Sequence, residues 1–355
     1  MLKNILIVGT GTIGEPLIGL MTALKKDMGI DEVYFHKRTP LEYEVAKVNS
    51  LTSRGALLVT DEHRVEKFVD LGHSVTCNFK EALNICDVII DCTPAGNENK
   101  KNIYLPLSKD KSDKMFIAQG SEKGFGIPYA YGINDDVLAE EDRSFIQVVS
   151  CNTHNIASVV GNLHKLAGVI GGDFVCIRRA NDLSQDEGFI ASPHISSHNC
   201  KNGTHHAQDV VDLFETIDVK FKKNLFSSAM KTNTQYMHVV RFNIEVKGRV
   251  SREDVLNSFR QDKMIALTHH KSANRIFSFG RDHGFYGRIY YQSVVSIESL
   301  NTLHRGRNTI ITGFCFTPQD GNSLMSTTAA ALYGIHGKRY HFNMSYFYKL
   351  LYGEI

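Results

Sequence analysis

The sequence predicts an α/β protein: an N-terminal Rossmann-type, doubly wound parallel sheet, followed by a second α+β domain whose sheet is mostly antiparallel. Three observations carry this expectation. A short apolar strand runs straight into Gly9-Thr-Gly11-Thr-Ile-Gly14 and then a helical run. Apolar strands alternate with helical stretches as far as Val149. Beyond residue 150 the texture changes to longer strands with fewer helices. At 355 residues the chain is too long for one ordinary core. The pattern places a dinucleotide-binding domain at 1–150 and a catalytic domain at 151–321, with a helix from about 322 expected to pack back on the first domain.

Composition narrows the class. Hydrophobic residues at 42% and charged residues at 22% describe a globular chain rather than a disordered one. A net charge of +2 gives no bulk attraction to nucleic acid or an anionic membrane, so neither is expected as a partner. Seven cysteines at irregular spacing, with no CxxC, suggest neither a disulfide framework nor a zinc ribbon. The leading apolar run Ile5–Val8 is too short for a signal peptide, and no stretch approaches transmembrane length. A cytoplasmic protein with reduced thiols is expected, in which the sequon at Asn202 has no glycosylation meaning.

Asn4–Val8 is the first strand, and the helix Leu17 to Lys26 follows the glycines. Gly9 permits a tight turn, Gly11 admits a pyrophosphate close to the backbone, and Gly14 lets helix and strand pack closely. Glu32–His36 is the second strand. It ends in His36-Lys37-Arg38 with no acid for a ribose 2′-hydroxyl, so a 2′-phosphate on Lys37 and Arg38, and hence NADP over NAD, is favoured. A solvated basic loop is the bland alternative. Helical stretches at Leu41–Ser53, Asp61–Leu71 and Phe79–Cys86 lead to strands at Asp87–Thr93 and Lys114–Gly120. Thr93 and Gly120 thus fall at carboxyl edges of strands, where a cofactor lies.

Phe145–Val149 reads as a buried strand, followed by Ser150-Cys151-Asn152-Thr153 and a helix to Ala167. Cys151 therefore sits at a helix N-terminus, where unpaired N–H groups and the macrodipole favour a thiolate nucleophile. A buried structural cysteine is the alternative. Further strands are expected at Asp173–Ile177, Gln235–Val246, Arg275–Phe279 and Arg288–Ile297, and Ser251-x-x-Asp254 opens a helix with capping-box spacing. Alternation along Gln235–Val246 puts Tyr236, His238, Val240, Phe242 and Ile244 on one face. His238 there is either a core histidine or the base that a cysteine dehydrogenase needs near its thiol. Between these strands lies His194-Ile-Ser-Ser-His198-Asn-Cys200, then Thr204-His205-His206. No established ligand spacing is matched, so no metal is expected; Arg178, Arg179, His205 and His206 make better phosphate ligands.

These pieces resemble the archaeal, type II glyceraldehyde-3-phosphate dehydrogenases. The resemblance rests on Gly-Thr-Gly-Thr-Ile-Gly at 9–14, Asp-Cys-Thr-Pro at 91–94, Ala-Gln-Gly-Ser-Glu-Lys at 118–123, Val-Val-Ser-Cys-Asn-Thr at 148–153, Arg-Arg-Ala at 178–180, Thr-His-His-x-x-Asp-Val at 204–210 and Tyr-Met-His at 236–238. It implies a cytoplasmic two-domain enzyme, commonly a homotetramer. Such an enzyme reversibly oxidises glyceraldehyde 3-phosphate to 1,3-bisphosphoglycerate with NADP or NAD and phosphate, through a thioester. It implies Cys151 as nucleophile and His238 as base. Ser150, Asn152, Thr153, Arg178, His205 and His206 would serve substrate or phosphate. Thr12, Ile13, Gly120 and Arg179 would line the cofactor, and Asn322, at the start of the last helix, would lie near the nicotinamide. The chain departs from the family at His154-Asn155, Val240 and Ile297, and from Leu300 onward. Another cysteine-dependent semialdehyde or acyl-phosphate reductase, such as aspartate-semialdehyde dehydrogenase, and a non-catalytic NADP-binding protein are the alternatives.

Overall fold

The computed structural model describes residues 3–110, 113–120, 122–140, 144–181, 188, 190–199, 201, 203–221, 224–234, 236–318 and 320–355. Cys200, the sequon at Asn202, and Gln319 lie outside the described residues. The chain forms two compact units. The first comprises Met1–Tyr129, Asp136–Val148 and Leu324–Lys349; the second comprises Ala130–Asp135, Val149–Ser323 and Leu350–Ile355. Among the described residues no helix is long and apolar enough to cross a membrane.

The first unit is built on an eight-stranded parallel sheet. Its strands are β1 (Asn4–Val8), β2 (Glu32–His36), β3 (Leu57–Thr60), β4 (Cys77–Asn78), β5 (Val88–Asp91), β6 (Met115–Gln119), β7 (Ile127–Tyr129) and β8 (Phe145–Val148), in the order β4-β3-β2-β1-β5-β6-β8-β7. Their continuous Val/Ile/Leu runs suit a parallel sheet covered on both faces, and all five residues of β1 are buried. The chain winds outward from β1 to β4, then returns to β5 on the other side of β1. That reversal opens a crevice at the carboxyl ends of β1 and β5, the place where doubly wound sheets bind ligands. Val8 pairs in register with both His36 and Asp91, so the Gly9 turn, Lys37 and Thr93 all leave the sheet at that edge.

The second unit has a mixed sheet of β9 (Val169–Arg178), β10 (His194–Ile195), β11 (Leu225–Lys231), β12 (Val239–Val246), β13 (Ile265–Thr268), β14 (Ser293–Ser296), β15 (Asn301–Arg305) and β16 (Asn308–Phe316). The order is β10-β11-β9-β12-β16-β14-β13, with β15 paired to β16. Most pairs are antiparallel; β9 with β11 and β13 with β14 are parallel. Val240, Phe242, Ile244 and Val246 of β12 join Ile156, Val159, Val160 and Leu163 of the Cys151–Ala167 helix in one core.

Two expectations are corrected. Arg275–Phe279 is not a strand but part of the Ala273–His283 helix. Its Ile-Phe-Ser-Phe alternation mimics a strand, yet the Ser272 side chain caps Arg275 N–H and the helix buries Ile276 and Gly280, four residues apart. Of the strand expected over Gln235–Val246, Gln235 lies outside the described residues and the structure forms strand from Val239; Tyr236 is 42% exposed, away from the buried face of Val240, Phe242 and Ile244.

Candidate active site

In the first unit the glycine turn is sterically obligatory. Gly9 has φ +98° and donates its N–H to the His36 carbonyl at 3.0 Å. A Cβ on Gly14 would stand 2.1 Å from the Gly9 oxygen, so the Gly14–Met28 helix reaches the turn only with glycine there. Gly11 faces open space, with nothing within 4 Å of an added Cβ. That gap, over a helix N-terminus that no side chain caps, fits the close approach of a pyrophosphate. Thr12 and Ile13 are half-buried beside it. Thr93 Cγ2 lies 3.1 Å from the Cβ position of Gly9. Thr93 itself is fixed by Asp91, which accepts from its N–H at 2.8 Å and its hydroxyl at 2.6 Å. Asp91 also accepts from Asn99 Nδ2 and the Tyr104 hydroxyl, each at 2.7 Å, so this fully buried carboxylate is well satisfied. Gly120, at φ +33°, donates to the Val148 carbonyl at 2.8 Å. The first unit therefore fits a dinucleotide.

At the adenosine end the structure amends the simple cation cluster. Lys37 is 6% exposed and its ammonium is ion-paired with Glu44, whereas Arg38 is exposed. Burial pushes the His36 ring down, against the pull of Asp61 at 3.3 Å.

In the second unit Ser150 is the N-cap of the Cys151–Ala167 helix: its Oγ accepts from Thr153 N–H at 3.2 Å and pairs with Thr153 Oγ1 at 2.8 Å. Cys151, half-buried, occupies the first helical position. Its carbonyl accepts from Asn322 Nδ2 at 3.0 Å. Asn322 is fully buried, and its amide also donates to the Gln292 carbonyl at 3.3 Å. It holds the Cys151 backbone, and its own side chain is enclosed.

Asn152 and Thr153 are likewise enclosed, at 3% and 0% exposure, so their side chains build the site rather than offer themselves to a phosphate. Asn152 Nδ2 donates to His206 Nε2 at 3.4 Å, and Asn152 Oδ1 accepts from Thr317 Oγ1 at 3.1 Å. His206 Nδ1 then donates to Thr204 Oγ1 at 3.0 Å, which pairs with Ser227 Oγ at 2.8 Å. Both ring nitrogens of His206 are thus engaged, and burial, followed by His205, Arg178 and His238, holds the ring far below the usual histidine range. Thr317 N–H donates to the His238 carbonyl at 3.0 Å, linking the His238 backbone to Asn152.

His238 Nδ1 accepts from Arg179 N–H at 3.0 Å, so the neutral ring carries its proton on Nε2. Burial, then Arg179 and Arg178, pushes this ring down to about 3. Arg179 is 3% exposed and acts here through its backbone. Arg178, ending β9, has a buried Nε without a hydrogen-bond partner among the described residues. It lines a polar pocket of about 360 Å³ together with His205, His206, Thr204, Ser196, Ser197, His198 and Asn199. Nothing in the spacing of Ser196–Asn199 marked them as pocket residues. Thr317 and Gln292 carried no signal either, because their partners, Asn152, Asn155 and Asn322, lie far away in sequence. His154 donates Nδ1–H to the Ser150 carbonyl at 3.0 Å, and burial pushes it down to about 4. Among the described residues no cluster of three His, Cys, Asp or Glu is placed to hold a metal.

Comparison with known proteins points the same way. Residues 150–283 match the family "Glyceraldehyde 3-phosphate dehydrogenase, C-terminal domain". The chain is 27% identical over 312 residues to the glyceraldehyde-3-phosphate dehydrogenase of Methanocaldococcus jannaschii, covering 85% of this chain and 86% of that one. It is 29% identical over 309 residues to that of Sulfolobus acidocaldarius, covering 84% and 83%. It is 29% identical over 311 residues to that of Methanopyrus kandleri, again covering 84% and 83%. Over about 85% of its length the chain is similar to archaeal glyceraldehyde-3-phosphate dehydrogenases, and its residues 150–283 match the C-terminal domain of that enzyme. The family match begins at Ser150, the residue that caps the Cys151 helix.

Proposed function

We propose that the chain is a phosphorylating glyceraldehyde-3-phosphate dehydrogenase with Cys151 as nucleophile. The observation that carries the reading is the convergence in the second unit. A cysteine stands at the first position of a capped helix, within a hydrogen-bonded cluster that includes a neutral His238 and adjoins an Arg178-lined anion pocket. The helix N-terminus favours the Cys151 thiolate, which adds to the aldehyde carbon. Addition by a thiolate leaves an alkoxide, so no proton has to be removed at that step. His238 Nε2–H, the only ring proton of this tautomer, is the donor that stabilises the oxyanion. When bound, the nicotinamide supplies the hydride acceptor that takes the carbon to the thioester level. Arg178 and His205 hold the incoming phosphate, which attacks the thioester and releases the acyl phosphate with Cys151 again a thiolate.

The cofactor is a nicotinamide dinucleotide. We favour NADP, supported by the exposed Arg38 at the end of β2. A reducing cytoplasm and a homotetramer complete the reading; the irregular cysteine spacing supports the first and the family resemblance the second.

The test is cofactor reduction by purified protein with glyceraldehyde 3-phosphate, run with NADP and with NAD, each with and without phosphate. Phosphate-dependent reduction that disappears in Cys151→Ser, while cofactor binding persists, is the expected result. Turnover surviving in Cys151→Ser would overturn the assignment.

A further inference from the structure

In the cationic cluster at the end of β2, Asp61 pairs with His36 and a second carboxylate, Glu44, pairs with Lys37. The Gly9 N–H bonds the His36 carbonyl, so Lys37 and Arg38 leave the sheet beside the glycine turn. Lys37 is nearly buried and its ammonium needs a partner; Glu44, just ahead of the Val45–Ser53 helix, supplies it through Oε2. The other carboxylate oxygen of Glu44 accepts from Lys47 Nζ at 2.7 Å. Lys47 in turn reaches the Thr10 carbonyl of the glycine turn at 3.5 Å and Glu15 at 3.5 Å. Glu44 therefore bridges the cation at the strand end to the cation at the phosphate-binding turn. Among the described residues the Arg38 guanidinium has no acidic partner, so it is the one uncommitted charge of the cluster.

We propose that Glu44 sets the choice between NADP and NAD, by holding Lys37 and Lys47 in ion pairs that a 2′-phosphate has to share or displace. The proposal rests on the reading of the first unit as a dinucleotide site. A 2′-phosphate brings nearly two negative charges close to the Glu44 carboxylate, and only Arg38 meets it without competition. A 2′-hydroxyl brings none, and is indifferent to the charge of Glu44. Glu44 thus sets a ceiling on the NADP preference that Lys37, Arg38 and Lys47 would otherwise give. Its position eight residues beyond the strand end explains why the strand's own sequence shows only cations.

The test is calorimetric titration of the full chain with NADP and, separately, NAD, in wild type, Glu44→Gln, Glu44→Asp and the double variant Lys37→Met with Glu44→Gln. Glutamine keeps an acceptor for Lys37 while removing the charge; it should tighten NADP about five- to tenfold and leave NAD within about twofold. Aspartate, one methylene shorter, should shift NADP the same way but less. Lys37→Met combined with Glu44→Gln should cancel most of the gain. Equal changes for both cofactors, or a weaker NADP with unchanged NAD, would overturn the proposal and leave Glu44 a structural partner of Lys37. If Glu44→Gln fails to fold, the aspartate variant decides on the same criterion. Wild type that binds neither dinucleotide would instead sink the reading of the first unit, a failure visible before any variant is made.

Discussion

Thr317 shows how much of the candidate site is held by residues that are themselves fully buried. Its hydroxyl donates to Asn152 Oδ1 at 3.1 Å and accepts from Asn155 Nδ2 at 2.7 Å, while its N–H holds the His238 carbonyl at 3.0 Å. Thr317→Val keeps the shape and removes the hydroxyl, leaving two amide groups buried without it. The expected cost is about 2–3 kcal/mol, read as a lower denaturant midpoint, because buried polar atoms that lose a partner bear their full desolvation penalty. Asn155 Oδ1 already lacks a partner among the described residues, so Asn155→Ala should cost less than Thr317→Val. The reverse order would show that Thr317 does not organise this cluster. Sequence could name Cys151 and His238, whose chemistry is visible in their residue types. It could not name Thr317, which lies in the divergent segment after Leu300 and is brought to Asn152 and Asn155 only because β16 pairs with β12.

At the scale of elements, the two strand-to-helix junctions to which the proposed chemistry is assigned were legible because their signals are local. Gly9 and Gly14 encode a turn that a side chain would strain or obstruct, and serine before Cys151 encodes a helix start. Gly14→Ala forces a Cβ against the Gly9 oxygen, 2.1 Å away, so the helix has to shift. It should abolish dinucleotide binding by calorimetry and lower stability by about 1–3 kcal/mol; retained binding would show that the turn is not the pyrophosphate cradle. Ser150→Ala removes the cap of the Cys151 helix and should cost about 1 kcal/mol, with slower alkylation of Cys151 by iodoacetamide near neutral pH. Ser150→Asp, which can also cap, should restore the stability; if it does not, the serine acts other than as an N-cap. The misread element, Arg275–Phe279, is short and apolar at alternate positions. There periodicity does not separate strand from helix, and the Ser272 cap decides. Likewise β16 was invisible as a central strand, since its place between β12 and β14 comes from long-range pairing.

For the molecule as a whole, the buried histidines make stability a function of pH. His238 is pushed down to about 3 and His154 to about 4, and His206 lies well below its usual value, in each case chiefly by burial. His36 and His164 shift the same way for the same reason. A histidine kept neutral in the folded state takes up its proton only on unfolding. Between its unfolded value near 6.5 and its folded value, the unfolded chain therefore binds more protons. Stability is complete above about pH 6.5 and falls as pH drops toward the folded values, by up to about 1.4 kcal/mol per pH unit for each ring. Three strongly shifted rings thus predict a loss of several kcal/mol between pH 7 and pH 5, before most paired carboxylates begin to protonate. Denaturation midpoints measured at pH 7, 6 and 5 check this, and His154→Gln should make the decline shallower by about one ring's share. Stability that stays level from pH 7 to 5 would mean these rings are charged in the native state. His238 could not then be the neutral donor that the Arg179 N–H contact makes it.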